Sequence, residues 1–283
     1  MTRAIAAATS IAKELNLPVD DATVLHNSNK LALRLVPADV FARIAPRGEA
    51  LAEFEIELAQ QLAAAGAPVA ALDPRVQQPR GHTRDGFAIT LWTYYEPVAP
   101  AVAPRDFAQA LEQLHAGMRT VSVPGQRYTD RVAEALEIVT TPARSPELAD
   151  DDRTFLSNRL NSLQAAIDTR APAEQLLHGE PHPGNVLSTA QGPLFIDFET
   201  CCRGPIEFDL AHTPEAVCEH YPNLDKDLLD DCRGLVLAMV AAWRWDLADE
   251  FPHGHTFGTE LLQVLREGTP WPTLSQITTR LGL

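Results

Sequence analysis

The stretch His178-Gly-Glu-Pro-His-Pro-Gly-Asn185, followed by Phe195-Ile-Asp-Phe-Glu199, decides how this sequence is interpreted. Glycine and proline disfavour a helix, so the first segment is predicted to form a loop. Glu180 and Asn185 are five positions apart in that loop. Twelve residues further on, Asp197 directly follows an apolar run that is typical of a short strand. The sequence therefore predicts two carboxylates and one amide displayed on loops at the ends of secondary structure.

These residue types suit phosphoryl transfer, which requires few protein groups. A carboxylate orients the attacking hydroxyl and receives its proton, while side-chain oxygens hold Mg²⁺ against the nucleotide phosphates. Glu180 and Asn185 have the spacing of the kinase catalytic loop, in which an Asp is followed by an Asn. The pattern of residues therefore indicates a kinase-type reaction.

The same residues resemble the aminoglycoside phosphotransferase/choline kinase-like family, whose fold is that of protein kinases. The family loop usually reads His-Gly-Asp-x-His-x-x-Asn. This sequence matches it at His178, Gly179, His182 and Asn185 and departs from it at Glu180. Further matches follow in order along nearly the whole chain: Asn29, Val40–Arg43, the helix with Glu55, Ala64–Val69, Leu91–Tyr95 and Leu114-His115. The resemblance implies an α+β, two-lobed kinase-like fold with a β-rich N-lobe and a mainly helical C-lobe.

The resemblance also implies roles for individual side chains. Glu180 would be the catalytic base, and Asn185 and Asp197 would be ligands of Mg²⁺. Arg43 falls where the family often has a lysine on the nucleotide phosphates, and Glu55 falls where a helix acid pairs with that lysine. Arginine is a fixed cation with a planar fork and can perform both tasks.

ATP, with GTP as the alternative nucleotide, is the cofactor that the resemblance implies together with Mg²⁺. Asn29 lies in the turn expected over the phosphates, although that turn has no GxGxxG pattern. Lys30 is the alternative cation if Arg43 points away. The positions expected to contact the adenine share one hinge-like stretch: Leu91, Thr93 and Tyr94.

Hydrophobic periodicity predicts the arrangement of elements along the chain. Helices are predicted over 2–15, 48–66, 107–118, 130–139 and 152–167. Strands are predicted over 24–25, 31–36, 40–44 and 87–92, and a small hairpin is predicted from 175–177 and 194–196. A connector rich in Pro, Ala and Val begins at 98. The predicted domains are therefore a nucleotide-binding N-lobe, 1–97, and a C-lobe, 98–283, with the catalytic loop and the acceptor site.

Composition limits the partners. The chain has 283 residues with 45% hydrophobic and 22% charged residues, which excludes full disorder. Its net charge of −15 disfavours nucleic acid and membrane surfaces and favours a cationic small molecule. Four cysteines without a CxxC pair, and no signal-peptide pattern, favour the cytoplasm.

The acceptor is predicted to be the hydroxyl of a small molecule, such as an aminoglycoside-like antibiotic, an amino alcohol or a sugar. The acceptor is expected against C-lobe helices from about 208 onward, and the candidate contacts are Glu207, Glu215, Glu219, Trp243 and Asp246. His178 and His182 are interpreted as braces of the catalytic loop, and Asp209 is interpreted as a helix cap or a brace of that loop rather than as an active-site group. Two alternatives stay open. One is a nucleotide-binding pseudokinase or scaffold, because Glu180 is one methylene longer than Asp. The other is an enzyme that transfers another part of ATP.

Overall fold

The structure, a computed structural model, describes residues 1–27, 30–46, 49–77 and 79–282. The chain forms two compact units. Unit 1 contains Met1–Val102, Thr120–Val123 and Val186–Glu199, and unit 2 contains Ala103–Arg119, Pro124–Asn185 and Thr200–Leu283. The sequence-based division at 97 assigns 98–102, 120–123 and 186–199 to the second domain, whereas their contacts place them in unit 1. Which domain binds which substrate stays a prediction.

Unit 1 is built on a five-stranded antiparallel sheet in the order β1-β2-β3-β5-β4. Its elements are α1 (Thr2–Glu14), β1 (Val19–Asn27), β2 (Leu31–Pro37), β3 (Val40–Pro46), α2 (Glu49–Ala64), β4 (His82–Arg84) and β5 (Phe87–Thr93). In β2 and β3 every second side chain is buried, because successive strand residues point to opposite faces. The predicted helices α1 and α2, the three strands between 22 and 46, and the strand β5 are confirmed.

The sheet's buried face packs against the small side chains of α1. Leu33, Leu35 and Ile44 join Ala8 and Ile11 in one hydrophobic cluster. Alanines let the helix approach the sheet closely, so the Ala-rich start of the sequence is used for packing.

A second, two-stranded sheet also belongs to unit 1 and leads into Asp197. It pairs β8 (Val186–Thr189) with β9 (Gly192–Phe195), and Phe195 exchanges backbone hydrogen bonds with Pro68 and Ala70. The predicted hairpin of 175–177 with 194–196 is wrong, because each segment pairs elsewhere. Both are apolar runs of only three residues, too short to specify a partner.

Unit 2 is mainly helical. Its long helices are α3 (Pro104–Met118), α4 (Tyr128–Thr140), α5 (Asp150–Arg170), α8 (Lys226–Arg244), α9 (Gly254–Glu267) and α10 (Leu274–Leu281), with short helices α6 (Ile206–Leu210) and α7 (Glu215–Cys218). Three short strands, β6 (Gln126–Arg127), β7 (Gln175–Leu177) and β10 (Cys202–Gly204), form a sheet in the order β6-β10-β7. β7 leads directly into the loop 178–185, and β10 pairs with β7, so the sheet fixes the start of that loop.

Within the described ranges, the longest and most apolar helices fall short of what is needed to cross a membrane. The four cysteines are all buried and form no disulfide.

Candidate active site

The loop after β7 is fixed by one buried carboxylate from α6. Asp209 is fully buried and accepts hydrogen bonds from the backbone N–H groups of His178 (2.9 Å) and Gly179 (2.8 Å). Its Oδ2 also accepts from Nε2 of His115 (2.9 Å), and Nδ1 of that histidine contacts the Tyr221 hydroxyl at 2.7 Å. The predicted role of Asp209 as a brace of the loop is confirmed by these contacts.

The charge of Asp209 is stabilised despite its burial. Burial raises the pKa of a carboxyl, but the hydrogen bond and the charge of His115 and the backbone N–H of Gly179 outweigh it and lower the pKa of Asp209. An ionised carboxylate only accepts hydrogen bonds, so both loop N–H groups and His115 donate to it.

Gly179 is required at its position by the backbone. Its φ is +92°, a conformation that side chains rarely adopt, and a Cβ there would lie 2.0 Å from the carbonyl oxygen of Thr200. Close approach of the two chain segments therefore fixes the residue that precedes Glu180.

Glu180 is held by an arginine that the sequence analysis did not identify. Arg131, in α4, donates one N–H to the Glu180 carboxylate and another to the Gly179 carbonyl oxygen at 2.9 Å. Only 5% of the Arg131 side chain is exposed, against 25% for Glu180. Forty-nine positions separate the two residues in the sequence, so no local motif indicates the pair.

The ion pair keeps Glu180 ionised. Burial alone would raise the pKa of Glu180, but the charge of Arg131 and its hydrogen bond outweigh burial, and the pKa is lowered. His212 would add to this effect only when protonated. Burial lowers the pKa of His212 to about 3, so this histidine is neutral at physiological pH. Glu180 is therefore a carboxylate poised to accept a hydrogen bond from a hydroxyl.

Asn185 is oriented by the same loop. Its backbone N–H donates to His182 (2.8 Å), within a single 3₁₀ turn over Pro183–Asn185. Its Nδ2 donates to the Glu180 carbonyl oxygen at 3.0 Å. Since the amide nitrogen is used in the loop, the amide oxygen is the group left to bind a cation. The predicted bracing by His182 and His178 is confirmed, because their Nδ1 atoms accept from the N–H groups of Gly184 and Glu180, respectively.

In unit 1, Asp197 belongs to a cluster around Arg43. Nη1 of Arg43 contacts Glu55 at 2.6 Å, and Nη2 contacts Asp197 at 2.5 Å and Glu199 at 3.9 Å. Arg43 is on β3 and Glu55 is on α2, so the sheet and the helix converge on the segment after β9. The backbone φ of Asp197 is +67°, which turns the chain sharply at the end of the strand. The structure brings together three of the predicted site residues.

Lys30 contacts the same cluster. Its Nζ donates to Glu199, and burial together with the charge of Arg43 lowers its pKa. Burial raises the pKa of Glu55 in spite of its pairing with Arg43. Arg43 and Lys30, the two cations proposed for the phosphates, therefore contact one group of acids, and the Arg43 side chain is turned towards that group. Asn29, the remaining residue of the predicted phosphate turn, lies outside the described residues.

Two backbone groups of the hinge-like stretch are engaged in hydrogen bonds within unit 1. The Leu91 carbonyl oxygen accepts from the N–H of Asp73 (3.2 Å), and the Thr93 N–H donates to Ala71 (2.9 Å). The Tyr94 ring lies 4.2 Å from the guanidinium carbon of Arg34. These two hydrogen bonds connect the stretch to residues 71–73. They use a backbone group of Leu91 and one of Thr93, but neither uses the backbone of Tyr94, the third predicted adenine contact.

The predicted acceptor contacts of unit 2 are mostly engaged. Three of these acids have partners: Glu207 with the Asp225 N–H (3.2 Å), Glu215 with Arg233 (2.5 Å) and Asp246 with Arg144. Glu219 is exposed, and the Trp243 ring lies 5.1 Å from the guanidinium carbon of Arg131. Two of the four acids, Glu215 and Asp246, are therefore neutralised by arginine.

Metal binding by the described residues depends on how their ligating side chains are grouped. Among the residues that the structure describes, no group of three or more His, Cys, Asp or Glu side chains could hold a metal. Mg²⁺ commonly takes one or two protein carboxylates together with substrate phosphates and water. One aspartate and one amide are compatible with that mode.

A cavity of about 540 Å³ in unit 1 lies apart from these residues. It is bordered by the end of α1 and by the segment before β4, including Glu14, Arg75, Arg80 and His82. None of its lining residues is a predicted site residue, so it is not the site described above.

Comparison with known proteins shows the family to which this chain belongs. The model of the phosphotransferase enzyme family (APH) matches residues 22–250. The chain belongs to this family, and the resemblance inferred from the catalytic loop is confirmed.

Solved structures share the fold at low sequence identity. An amicoumacin kinase in complex with AMP-PNP and Ca²⁺ has a TM-score of 0.69 at 14% identity, covering 93% of this chain and 95% of that one. The aminoglycoside 2′-phosphotransferase-IIIa in its GDP complex has a TM-score of 0.66 at 17% identity, covering 90% and 95%. The choline kinase of Streptococcus pneumoniae has 0.64 at 13%, covering 91% and 98%. No curated protein matches the sequence. The predicted α+β kinase-like fold is confirmed.

Proposed function

We propose that this protein is a small-molecule kinase that moves the γ-phosphate of ATP, or of GTP, to a hydroxyl group. The observation that carries this proposal is the constrained loop 178–185 in a member of the phosphotransferase family. Asp209 holds its backbone, Arg131 holds the Glu180 carboxylate, and Asn185 is oriented through the Glu180 carbonyl.

Glu180 is the proposed base. In phosphoryl transfer the transition state is loose, so catalysis depends mainly on positioning and on electrostatic stabilisation rather than on a strong base. A carboxylate with a lowered pKa is therefore adequate. It accepts a hydrogen bond from the acceptor hydroxyl, aligns that oxygen and receives its proton as the bond to phosphorus forms.

Asp197 and Asn185 are the proposed ligands of Mg²⁺. The donor types fit, since a carboxylate and an amide oxygen are hard ligands, and Nδ2 of Asn185 is already engaged elsewhere. The bound ion would neutralise charge on the phosphates. Asp197 contacts Arg43, so this carboxylate is oriented in unit 1 before any ion binds.

Arg43 and Glu55 are the proposed phosphate-side pair, with Lys30 close to the same acids. Arg43 has donors on both sides of its fork, and Glu55 is 4% exposed, so the pair is fixed before nucleotide binds. Asn29 is retained as a proposed contact on the resemblance alone. Leu91, Thr93 and Tyr94 are proposed to border the adenine.

The proposed acceptor is a hydroxylated small molecule. The similar structures bear the names of kinases for an antibiotic, an aminoglycoside and choline. The net charge of −15 supports attraction of an aminated acceptor, although two of the four candidate acids of unit 2, Glu215 and Asp246, are paired with arginine. Four free buried cysteines support a reducing compartment such as the cytoplasm.

The test is Mg²⁺-dependent consumption of ATP and GTP with a panel of aminoglycosides, other hydroxylated antibiotics, amino alcohols and sugars. Glu180→Ala and Asp197→Ala are measured beside the wild type. Asp150→Asn is the control, because Asp150 is a fully exposed acid at the start of α5. We expect one acceptor class to stimulate turnover in the wild type and in the control, and neither site variant to respond. Nucleotide binding without stimulation by any acceptor would contradict the proposal and favour the pseudokinase.

A further inference from the structure

Arg131 joins two groups of the catalytic loop. It lies near the start of α4, is 4% exposed, and donates both to the Glu180 carboxylate and to the Gly179 carbonyl oxygen (2.9 Å). A guanidinium presents its donors in a fixed plane, so binding one group restricts where the other can lie. The Gly179 carbonyl fixes the guanidinium relative to the backbone, and the guanidinium in turn fixes the carboxylate.

The guanidinium is itself held in place. Its central carbon lies 5.1 Å from the ring centroid of Trp243 and 5.9 Å from that of Phe208, within the range of cation–π attraction. At the helix start, the backbone N–H of Arg127 donates to the Asp130 carboxylate at 2.7 Å. Arg131 is therefore a preorganised donor rather than a mobile surface charge.

We propose that Arg131 is a positioning residue that adapts the catalytic loop to glutamate at position 180. This inference rests on the proposed function. Glutamate has one more rotatable bond than aspartate, so its carboxylate can occupy more positions. A displacement of about 1 Å at a reacting group can lower the rate roughly 10²-fold. The ion pair with Arg131 selects one position for the longer side chain.

The two contacts of Arg131 differ in how they depend on the side chain at position 180. The bond to the Gly179 carbonyl does not depend on the side chain at 180, so a purely structural role would be equally important for Glu or Asp. The bond to the carboxylate is specific to the side chain that reaches it. Dependence of the Arg131 effect on residue 180 therefore separates positioning from loop support.

The experiment is a double-mutant cycle of wild type, Arg131→Met, Glu180→Asp and the double variant, with kcat and both KM values measured on the acceptor that stimulates turnover in the panel described above. We expect Arg131→Met to lower kcat about 10- to 10²-fold with little change in the KM for ATP. In the Glu180→Asp background we expect the same change to alter kcat no more than about 2-fold. An unchanged kcat in Arg131→Met, or equal losses in both backgrounds, would overturn the proposal.

Two further variants separate the effect of the guanidinium fork on kcat from a general loss of stability. Arg131→Lys retains the charge and the fold but has one compact donor in place of the fork, so an intermediate kcat is expected. Arg153→Met is the matched control, because Arg153 is a largely buried arginine (14% exposed) that donates to the carbonyls of Val139, Ser145 and Leu148 rather than to the catalytic loop. It should lower stability and leave kcat unchanged.

Crystal structures of the wild type and Arg131→Lys separate this inference from the proposed function. If the wild type turns over no acceptor, the proposed function fails, and the position of the Glu180 carboxylate then decides the inference. A carboxylate that moves in the lysine variant, with the Gly179 backbone in place, supports it. A carboxylate that stays in the wild-type position overturns it.

Discussion

Arg43 and Arg131 both bind carboxylates of the proposed site, and the charges around these two arginines differ. In unit 1, Arg43 lies among three acids, Glu55, Asp197 and Glu199, and Lys30 is the second cation of the cluster. In unit 2, Arg131 pairs with a single acid, Glu180. The first cluster has one carboxylate more than it has cations, whereas the second pair is balanced.

The difference has a chemical consequence. A group of carboxylates with excess negative charge attracts a further cation, which suits the proposal that Asp197 is one of the few protein ligands of a Mg²⁺ ion held mainly by phosphates and water. A balanced pair fixes the place and the ionisation of one carboxylate, which is the property expected of a base that must align a hydroxyl. We therefore expect changes in the Arg43 cluster to alter binding of the metal–nucleotide, and changes at Glu180 to alter turnover.

The largest expected effect contrasts one acid from each region. Glu180→Gln removes the proposed base and should lower kcat about 10²- to 10⁴-fold while ATP still binds in the presence of Mg²⁺. Asp197→Asn should instead weaken Mg²⁺-dependent ATP binding. Steady-state kinetics and calorimetric titration with and without Mg²⁺ check both outcomes. If both variants lose the same property, the division of roles between the two regions is incorrect.

One glycine from each region allows the two regions to be compared in the free energy of unfolding. Gly179→Ala places a Cβ 2.0 Å from the Thr200 carbonyl oxygen at a φ of +92°, and should cost about 3 kcal/mol or more. The control is Gly192→Ala, which has a φ of +108° but no atom within 4 Å of the added Cβ. It should cost only about 1 kcal/mol. Urea denaturation measures both, and equal losses would show that the loop can move away from Thr200.

A pH effect is expected near Glu180. Burial lowers the pKa of His212 to about 3, so the folded protein keeps this histidine neutral while the unfolded chain binds a proton below about pH 6.5. Since unfolding takes up that proton, the free energy of unfolding should fall as pH decreases from about 6.5, by up to about 1.4 kcal/mol per pH unit.

His212→Gln should remove this part of the slope. Denaturation of the wild type and the variant at several pH values between 7 and 5 gives the comparison. Parallel curves for the two proteins would mean that His212 is protonated in the folded state, and that it contributes positive charge beside Glu180.

The smallest effect is expected for Arg43→Lys. Lysine keeps a cation among the acids but cannot bridge Glu55 and Asp197 with one planar fork, so the change should cost about 1 kcal/mol of stability. The kcat should be nearly unchanged, because neither acid is the proposed base. This contrasts with the clear loss of kcat expected for Arg131→Lys. Thermal or urea denaturation and kinetics of both lysine variants measure the difference. A larger kcat loss at Arg43 than at Arg131 would reverse the comparison.

The sequence was informative where function depends on neighbours along the chain. The loop 178–185 and the alternating strands β2 and β3 follow from spacing, periodicity and residue type, and the structure confirms them. These features are encoded within a few residues or within one recognisable motif.

The sequence was uninformative where function depends on residues brought together by the fold. Arg131 is an ordinary polar residue of an amphipathic helix until folding brings it to Glu180. The pairing of β7 with β10 was missed for a similar reason, because three-residue apolar strands carry no register signal. The identity of the acceptor depends on a combination of distant side chains, and no local pattern encodes it.

The most direct test of the central claim is to detect the product itself. Wild-type protein and Glu180→Gln are incubated with Mg²⁺, ATP labelled in the γ-phosphate and the stimulating acceptor, and the label is followed by chromatography and ³¹P NMR. The account predicts label on a hydroxyl oxygen of the acceptor with the wild type, and transfer that is slower by about 10²-fold or more with Glu180→Gln. Label released only as inorganic phosphate, or equal transfer by both proteins, would contradict it.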